Sequence, residues 1–246
     1  MPRRLVNQAT LAASQPSAGA LKGSLSNVLA DPWLRLGAGA GALLLTAMAA
    51  GRDYVSPGEA TAFRAVNGLP DTLYAPAWTV MQLGTLGAAP AAAGAAWLAG
   101  DGELAGRLLA SGTATWALSK LVKQLVRRPR PATLLKGTRC RGREAAGLGY
   151  LSGHAGVATA LGAAAVTQLG STGRTLVLGA VLAVGLTRVY VGAHLPLDIA
   201  GGVALGLAVE AAVAIVQAGP DGRGHHPCSE QAAAGEHEQA GATAAS

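Results

Sequence analysis

No charged side chain occurs between Asp71 and Asp101. A run that long and that apolar cannot form an ordinary surface helix, which keeps a polar face towards water. It can cross a bilayer, whose core of about 30 Å needs roughly 20 mostly apolar residues per helix. The segment from about Ala75 to Ala99 meets that requirement, and five other stretches come close to it. They run from about Trp33 to Ala50, Glu103 to Val126, Gly153 to Leu169, Thr175 to Ala193 and Leu197 to Ala218. The third stretch in chain order is the least apolar, because Arg107, Lys120 and Lys123 fall inside it. Composition agrees: 13% of the residues are charged, where soluble domains carry about 25%. Small residues abound, with 35 Gly, and they let membrane helices approach closely. The expectation is an all-α fold, a six-transmembrane-helix bundle.

The connections sort by length and composition. Gly100-Asp101-Gly102 and Gly170-Ser171-Thr172-Gly173 have the composition of tight turns. The segment from Arg52 to Tyr74 reads as interfacial, with a short amphipathic helix. The loop from Arg127 to Ser152 is long and crowded with Arg, Lys and Gly, and loops of that length are usually functional. Residues 1–30 and 219–246 lack periodicity and read as disordered tails around one membrane domain, 31–218. Arg3 and Arg4 are followed by interrupting polar residues rather than the apolar core of a signal peptide. Cys140 and Cys228 make no metal-ligand spacing, and His225, His226 and His237 read as part of a solvated tail.

Three clusters place polar residues where a membrane protein tolerates them least. Lys123 is followed after six residues by Arg130-Pro131. There Pro129 and Pro131 stop the third helix, and Arg127 and Arg128 suit a helix C-terminus. Ser152-Gly153-His154 opens the fourth helix, with Ser152 as a cap and free N–H groups that attract anions. Arg188 is followed after five residues by His194, and after three more by Asp198. Helices that alternate across the bilayer bring all three clusters to one membrane face. Cations, two histidines, one carboxylate and a helix N-terminus suit a transferring phosphoryl group. No carboxylate cluster of the kind magnesium needs accompanies them, so no metal and no cofactor are expected.

These residues, in this order and spacing, resemble the three-part signature of the type-2 phosphatidic acid phosphatase superfamily. The resemblance covers roughly residues 30 to 218. It departs at Leu151, where the family usually has Pro, and at Thr187, where it usually has Ser. It implies a metal-independent membrane phosphatase acting on a lipid phosphate: a polyprenyl diphosphate, phosphatidic acid or phosphatidylglycerol phosphate. It further implies that His194 attacks phosphorus to give a phosphohistidine, that Asp198 orients His194, and that His154 serves as acid and then base. Lys123, Arg130, Ser152, Gly153 and Arg188 would bind the phosphate. The expected partners are the lipid substrate and membrane lipids, with no nucleic acid; the oligomeric state stays open.

A vanadium-dependent haloperoxidase would use a similar pocket, and a catalytically idle scaffold or transporter would keep the helices alone. The first is disfavoured by the short chain with its six spans, the second by the intact histidines. Glu210, twelve residues beyond Asp198, reads as a partner for a basic residue on a neighbouring helix or as an acid near the inner interface. Gly202 and Gly206 read as an internal packing pair. The resemblance favours an extracytoplasmic site, with Cys140 outside and Cys228 inside. That arrangement leaves more Lys and Arg outside than inside, against the positive-inside rule.

Overall fold

The computed structural model describes residues 31–51, 54–143 and 146–219. All regular elements among them are helical: α1 (Pro32–Ala50), α2 (Pro57–Asn67), α3 (Tyr74–Met81), α4 (Ala88–Leu98), α5 (Gly102–Val126), α6 (Pro131–Leu134), α7 (Gly153–Val166), α8 (Ser171–Tyr190) and α9 (Pro196–Ala218). Residues 1–30 and 220–246, with His225, His226, Cys228 and His237, lie outside the described residues.

The helix starts follow from local chemistry. Asp31 accepts the Trp33 N–H at 2.8 Å and Pro32 takes the first helical position of α1. Ser56 and Pro57 do the same for α2, with the Glu59 N–H on the Ser56 hydroxyl at 3.1 Å. In both, the side-chain oxygen satisfies a donor that the first turn leaves free, and proline has no N–H to strand there.

α9 is the hub and packs against α1, α7 and α5. Its contact with α7 depends on Gly202 and Gly206. A Cβ at Gly202 would lie 2.4 Å from the Ser152 carbonyl oxygen, and one at Gly206 would lie 2.4 Å from that of Gly156. The pair is therefore an internal seam between two helices. α4, α5 and α7 share an alanine-rich core of Ala89, Ala93, Ala105, Leu108, Val157 and Leu161. Outside, Leu45, Met48, Trp97, Leu98, Leu125, Leu176, Leu182 and Val216 are all more than half exposed. So continuous an apolar exterior belongs against lipid rather than water.

Three helices, α1, α8 and α9, are long and apolar enough to cross a bilayer. The expected count of six meets two structural departures. The stretch 75–99 is not one helix: α3 ends in a tight 3₁₀ turn, Gln82–Gly84, before α4 begins. Gln82 donates its side-chain amide to the Trp78 carbonyl at 3.0 Å, and the Thr85 hydroxyl donates to the Gln82 carbonyl at 2.8 Å. These bonds occupy carbonyls of the last turn while Thr85 turns extended. α7, with 14 residues, reaches only about 21 Å at 1.5 Å per residue. α5 has the length, 25 residues, but carries Glu103, Arg107, Lys120 and Lys123.

Glu210 is fully buried and has found basic partners. Arg107 of α5 donates to its Oε1 through Nε at 2.8 Å and through Nη2, and the Arg35 Nε of α1 lies 3.2 Å from its Oε2. The trio ties α1, α5 and α9. Removing one member of a buried ion group leaves the others uncompensated, at about 3–5 kcal/mol. Glu210→Ala is expected to lose that much stability, read as a lower unfolding midpoint in detergent, and Glu210→Gln to lose less. A wild-type midpoint in Glu210→Ala would show that the trio carries no net stability.

Candidate active site

The end of α5 begins the site. Arg127 closes the helix in the left-handed conformation, φ 56°, with its N–H on the Lys123 carbonyl. This reversal turns the next side chain inward, and Arg128 is only 3% exposed. Its Nη1 donates to Asp198 Oδ1 at 2.9 Å and to Glu59 Oε1 at 3.1 Å, and its Nη2 donates to Glu59 Oε2 at 2.7 Å. Arg130 then stitches the loop together. It donates to the Ala146 carbonyl through Nε and Nη2, at 3.2 and 3.0 Å, and to the Ala193 carbonyl through Nη1 at 2.7 Å. The Lys123 ammonium donates to the carbonyls of Leu148, Gly149 and Leu151.

The starts of α7 and α9 meet beside this loop. Ser152 caps α7 by accepting the Ala155 N–H at 3.3 Å, and its own N–H donates to the Asp198 main-chain carbonyl at 2.9 Å. Pro196 opens α9, and Asp198 Oδ2 accepts the Leu195 N–H at 2.8 Å. His194 Nδ1 lies 3.6 Å from the same Oδ2, just beyond hydrogen-bond range. Arg188, in the last turn of α8, reaches Met81 Sδ at 3.0 Å, while its buried Nε has no hydrogen-bond partner.

A cavity of about 780 Å³ opens where these pieces converge. Arg130, His154 and Arg188 line it, together with Arg141 and Arg143, and no carboxylate is among the described residues that line it. Lys123, Ser152, Gly153, His194 and Asp198 are not among the residues that line it. His194 is buried, next in sequence to Ala193, which does line the cavity. Of the residues named from sequence, Arg130, His154 and Arg188 thus face the cavity, Ser152, His194 and Asp198 are buried, and Lys123 and Gly153 are half-buried.

Four participants had no distinct signal in the sequence. Arg128 looked like one more helix-end cation, and Glu59 like an interfacial acid. Asn67 accepts the Arg139 N–H and donates to the Arg139 and Tyr190 carbonyls, all at 2.9 Å, which holds the long loop against α8. Arg141 pairs with Asp71 at 2.7 Å and lies over the Tyr190 ring.

Burial sets the charge states here. It pulls the His194 imidazole down to about 3; Asp198 opposes the shift, and the Lys123 and Arg188 charges add to it. The imidazole is therefore neutral and keeps a lone pair. Burial works against the charge of Arg128 too, but its bonds to Glu59 and Asp198 outweigh it and hold the guanidinium above its ordinary value. Arg130 is pulled below its ordinary value by burial, partly offset by Asp198.

The His194 shift has a thermodynamic consequence. Between the ordinary histidine value of 6.5 and about 3, the unfolded chain binds a proton at His194 that the native state refuses. Stability from this group is full above that window and falls as pH drops through it, by at most about 1.4 kcal/mol per pH unit. Wild-type protein should lose more stability than His194→Gln between pH 7 and pH 4.5, measured by unfolding in detergent. Equal losses would place the proton uptake elsewhere.

Comparisons with known proteins agree with this geometry. The fold matches a crystal structure of Aquifex aeolicus LpxE with a TM-score of 0.58 and 18% identity, over 63% of this chain and 93% of that one. It also matches a crystal structure of a transmembrane PAP2 type phosphatidylglycerolphosphate phosphatase from Bacillus subtilis, with a TM-score of 0.52 and 21% identity. That match covers 71% of this chain and 93% of the other. No curated protein matches by sequence. The family model of the PAP2 superfamily matches residues 104–219. That segment holds Lys123, Arg128, Arg130, Ser152, Gly153, His154, Arg188, His194 and Asp198, and over it the chain is similar to the PAP2 superfamily.

Proposed function

We propose that the protein is an integral membrane phosphatase that hydrolyses a lipid phosphate through a phosphohistidine on His194, without a metal. One observation carries this reading: Arg130, Arg188 and His154 line a single cavity together with Ala193, the chain neighbour of the buried His194 that pairs with Asp198. The cations neutralise the phosphoryl oxygens, with Lys123, the Ser152 hydroxyl and the Gly153 N–H completing the set. His194 Nδ1 faces Asp198, which leaves Nε2 to attack phosphorus. As the N–P bond forms, the bond to the leaving oxygen breaks, and His154 supplies that oxygen with a proton. His154 then takes a proton from water, whose oxygen displaces the imidazole and releases phosphate.

A lipid substrate is supported by a second cavity of about 750 Å³. Its lining is alanine, leucine and valine from α4, α5, α7 and α8, and it shares Gln82 and Thr85 with the charged cavity. A phosphate in the charged space would have its hydrocarbon chain in the apolar one. Polyprenyl diphosphate, phosphatidic acid and phosphatidylglycerol phosphate all fit that division. The membrane reading takes α1, α3–α4, α5, α7, α8 and α9 as six spans, with the site on the extracytoplasmic face.

Phosphate release from a panel of these lipids, with protein in detergent, tests the reading. Turnover should survive a strong chelator and be inhibited by vanadate, which mimics pentacoordinate phosphorus. His194→Ala should lose activity by at least about a thousandfold while staying folded, because nucleophile and base act as a unit. Full activity in that variant would overturn the mechanism.

Sidedness has its own test, because Cys140 is exposed and lines the charged cavity. A membrane-impermeant maleimide applied to intact cells should label Cys140, and vanadate should slow that labelling. Cys228 should react only after the cells are opened. Labelling of Cys228 with Cys140 protected would put the site on the cytoplasmic face.

A further inference from the structure

The proposed chemistry uses His194 and Asp198 but leaves unexplained why Asp198 is bound to an arginine. Arg128 and Asp198 are both buried and lie 2.9 Å apart. Taken alone they form a neutral pair. The imidazole in front of a neutral pair would gain little when it becomes positively charged. That charge arises in the attack itself, because the ring carries phosphorus on Nε2 and a proton on Nδ1 once the leaving oxygen has departed.

Glu59 changes the sum. Its carboxylate accepts two of the Arg128 hydrogen bonds, at 3.1 and 2.7 Å, where Asp198 accepts one. It also accepts the Leu197 N–H at 3.0 Å, in the same first turn of α9 that carries Asp198. Its side chain is 10% exposed and that of Arg128 only 2%, so water does little to screen the interaction, and charges interact strongly in such a setting. Two carboxylates and one guanidinium leave one net negative charge behind His194.

Resting on His194 as the nucleophile, we infer that Glu59 is a positioning residue for it: through Arg128, Glu59 restores the negative charge behind the imidazole and fixes the carboxylate that supplies it. The residue comes from α2, outside the segment matched by the family model. The interfacial helix is thereby part of the reaction's electrostatics and not only a cover for the loop.

Charge and bracing make opposite demands at this position. Glu59→Gln keeps the length and an acceptor oxygen but loses the charge; Glu59→Asp keeps the charge but loses the length. The charge role ranks Asp above Gln in kcat, and a bracing role ranks Gln above Asp. The expected loss for Glu59→Gln is about 10- to 100-fold in kcat, the usual scale for the outer partner of a catalytic group, with KM within about twofold of wild type.

The decisive measurement is the single-turnover rate constant for phosphoenzyme formation, using full-length protein and a radiolabelled lipid phosphate. Partial loss of folded enzyme lowers the amplitude of that phase and leaves its rate constant unchanged. A slower phase in Glu59→Gln, recovered to within a few-fold of wild type in Glu59→Asp, supports the inference. Glu59→Gln equal to wild type, or Gln faster than Asp, overturns it. His194→Ala run in parallel separates the two proposals. If it still turns over, the nucleophile assignment fails; if it is inactive while Glu59→Gln is normal, only the role of Glu59 fails.

Discussion

A carboxylate with no exposure to water has to be answered by donors, and the structure around the site is arranged to answer Asp198. The cost of an uncompensated buried charge is large enough to dictate neighbouring structure. Leu195 gives Asp198 a backbone N–H, Arg128 gives it a guanidinium, and Ser152 binds its main-chain carbonyl. The first contact closes the cap of α9, the second requires the chain after α5 to turn inward, and the third brings the start of α7 alongside. The left-handed residue at Arg127 is a consequence of the second demand. Without that reversal Arg128 would continue around the helix surface, and the loop would begin elsewhere.

The same economy governs the basic loop. Lys123 and Arg130 satisfy carbonyls at Leu148, Gly149, Leu151, Ala146 and Ala193, and Arg141 does the same for Asn67, Leu69 and Tyr190. An irregular loop packed between helices leaves many carbonyls without helical partners, and a guanidinium offers five donors to meet them. The excess of Lys and Arg on this side of the protein is thus a demand of the fold as well as of any bound anion. A charge count that reads those residues only as orientation signals mixes two causes.

Much of the site was legible in the sequence because its chemistry depends on spacing along a few helix ends. Ser152 as a cap, Pro129 and Pro131 as the stop of α5, and Arg130, His154 and Arg188 around one cavity all follow from local pattern and alternation of helices. The pairing of Glu210 with basic residues and the packing role of Gly202 and Gly206 were readable for similar reasons. The partners of Asp198 were not. Glu59 is 69 residues from Arg128, and no local rule joins an interfacial acid to one arginine of a basic run. That Arg130 and Arg141 both line the cavity and hold loop carbonyls was equally hidden, since it depends on how the loop folds back.

The departures from regular spanning helices have a physical logic of their own. The stretch without charges looked like the most secure single helix, yet it breaks at Gln82–Gly84, and α7 stops well short of a bilayer's thickness. Both irregularities lie at the site. Gln82 and Thr85, whose side chains take the carbonyls at the break, line both the charged and the apolar cavity. His154 sits in the first turn of the short helix. The 3₁₀ break lies where the charged and the apolar cavity share lining residues. Local preference is overruled where a charged and an apolar cavity adjoin. The polar residues Gln82 and Thr85 satisfy the backbone at that junction, so the opening does not leave unpaired carbonyls in an apolar wall.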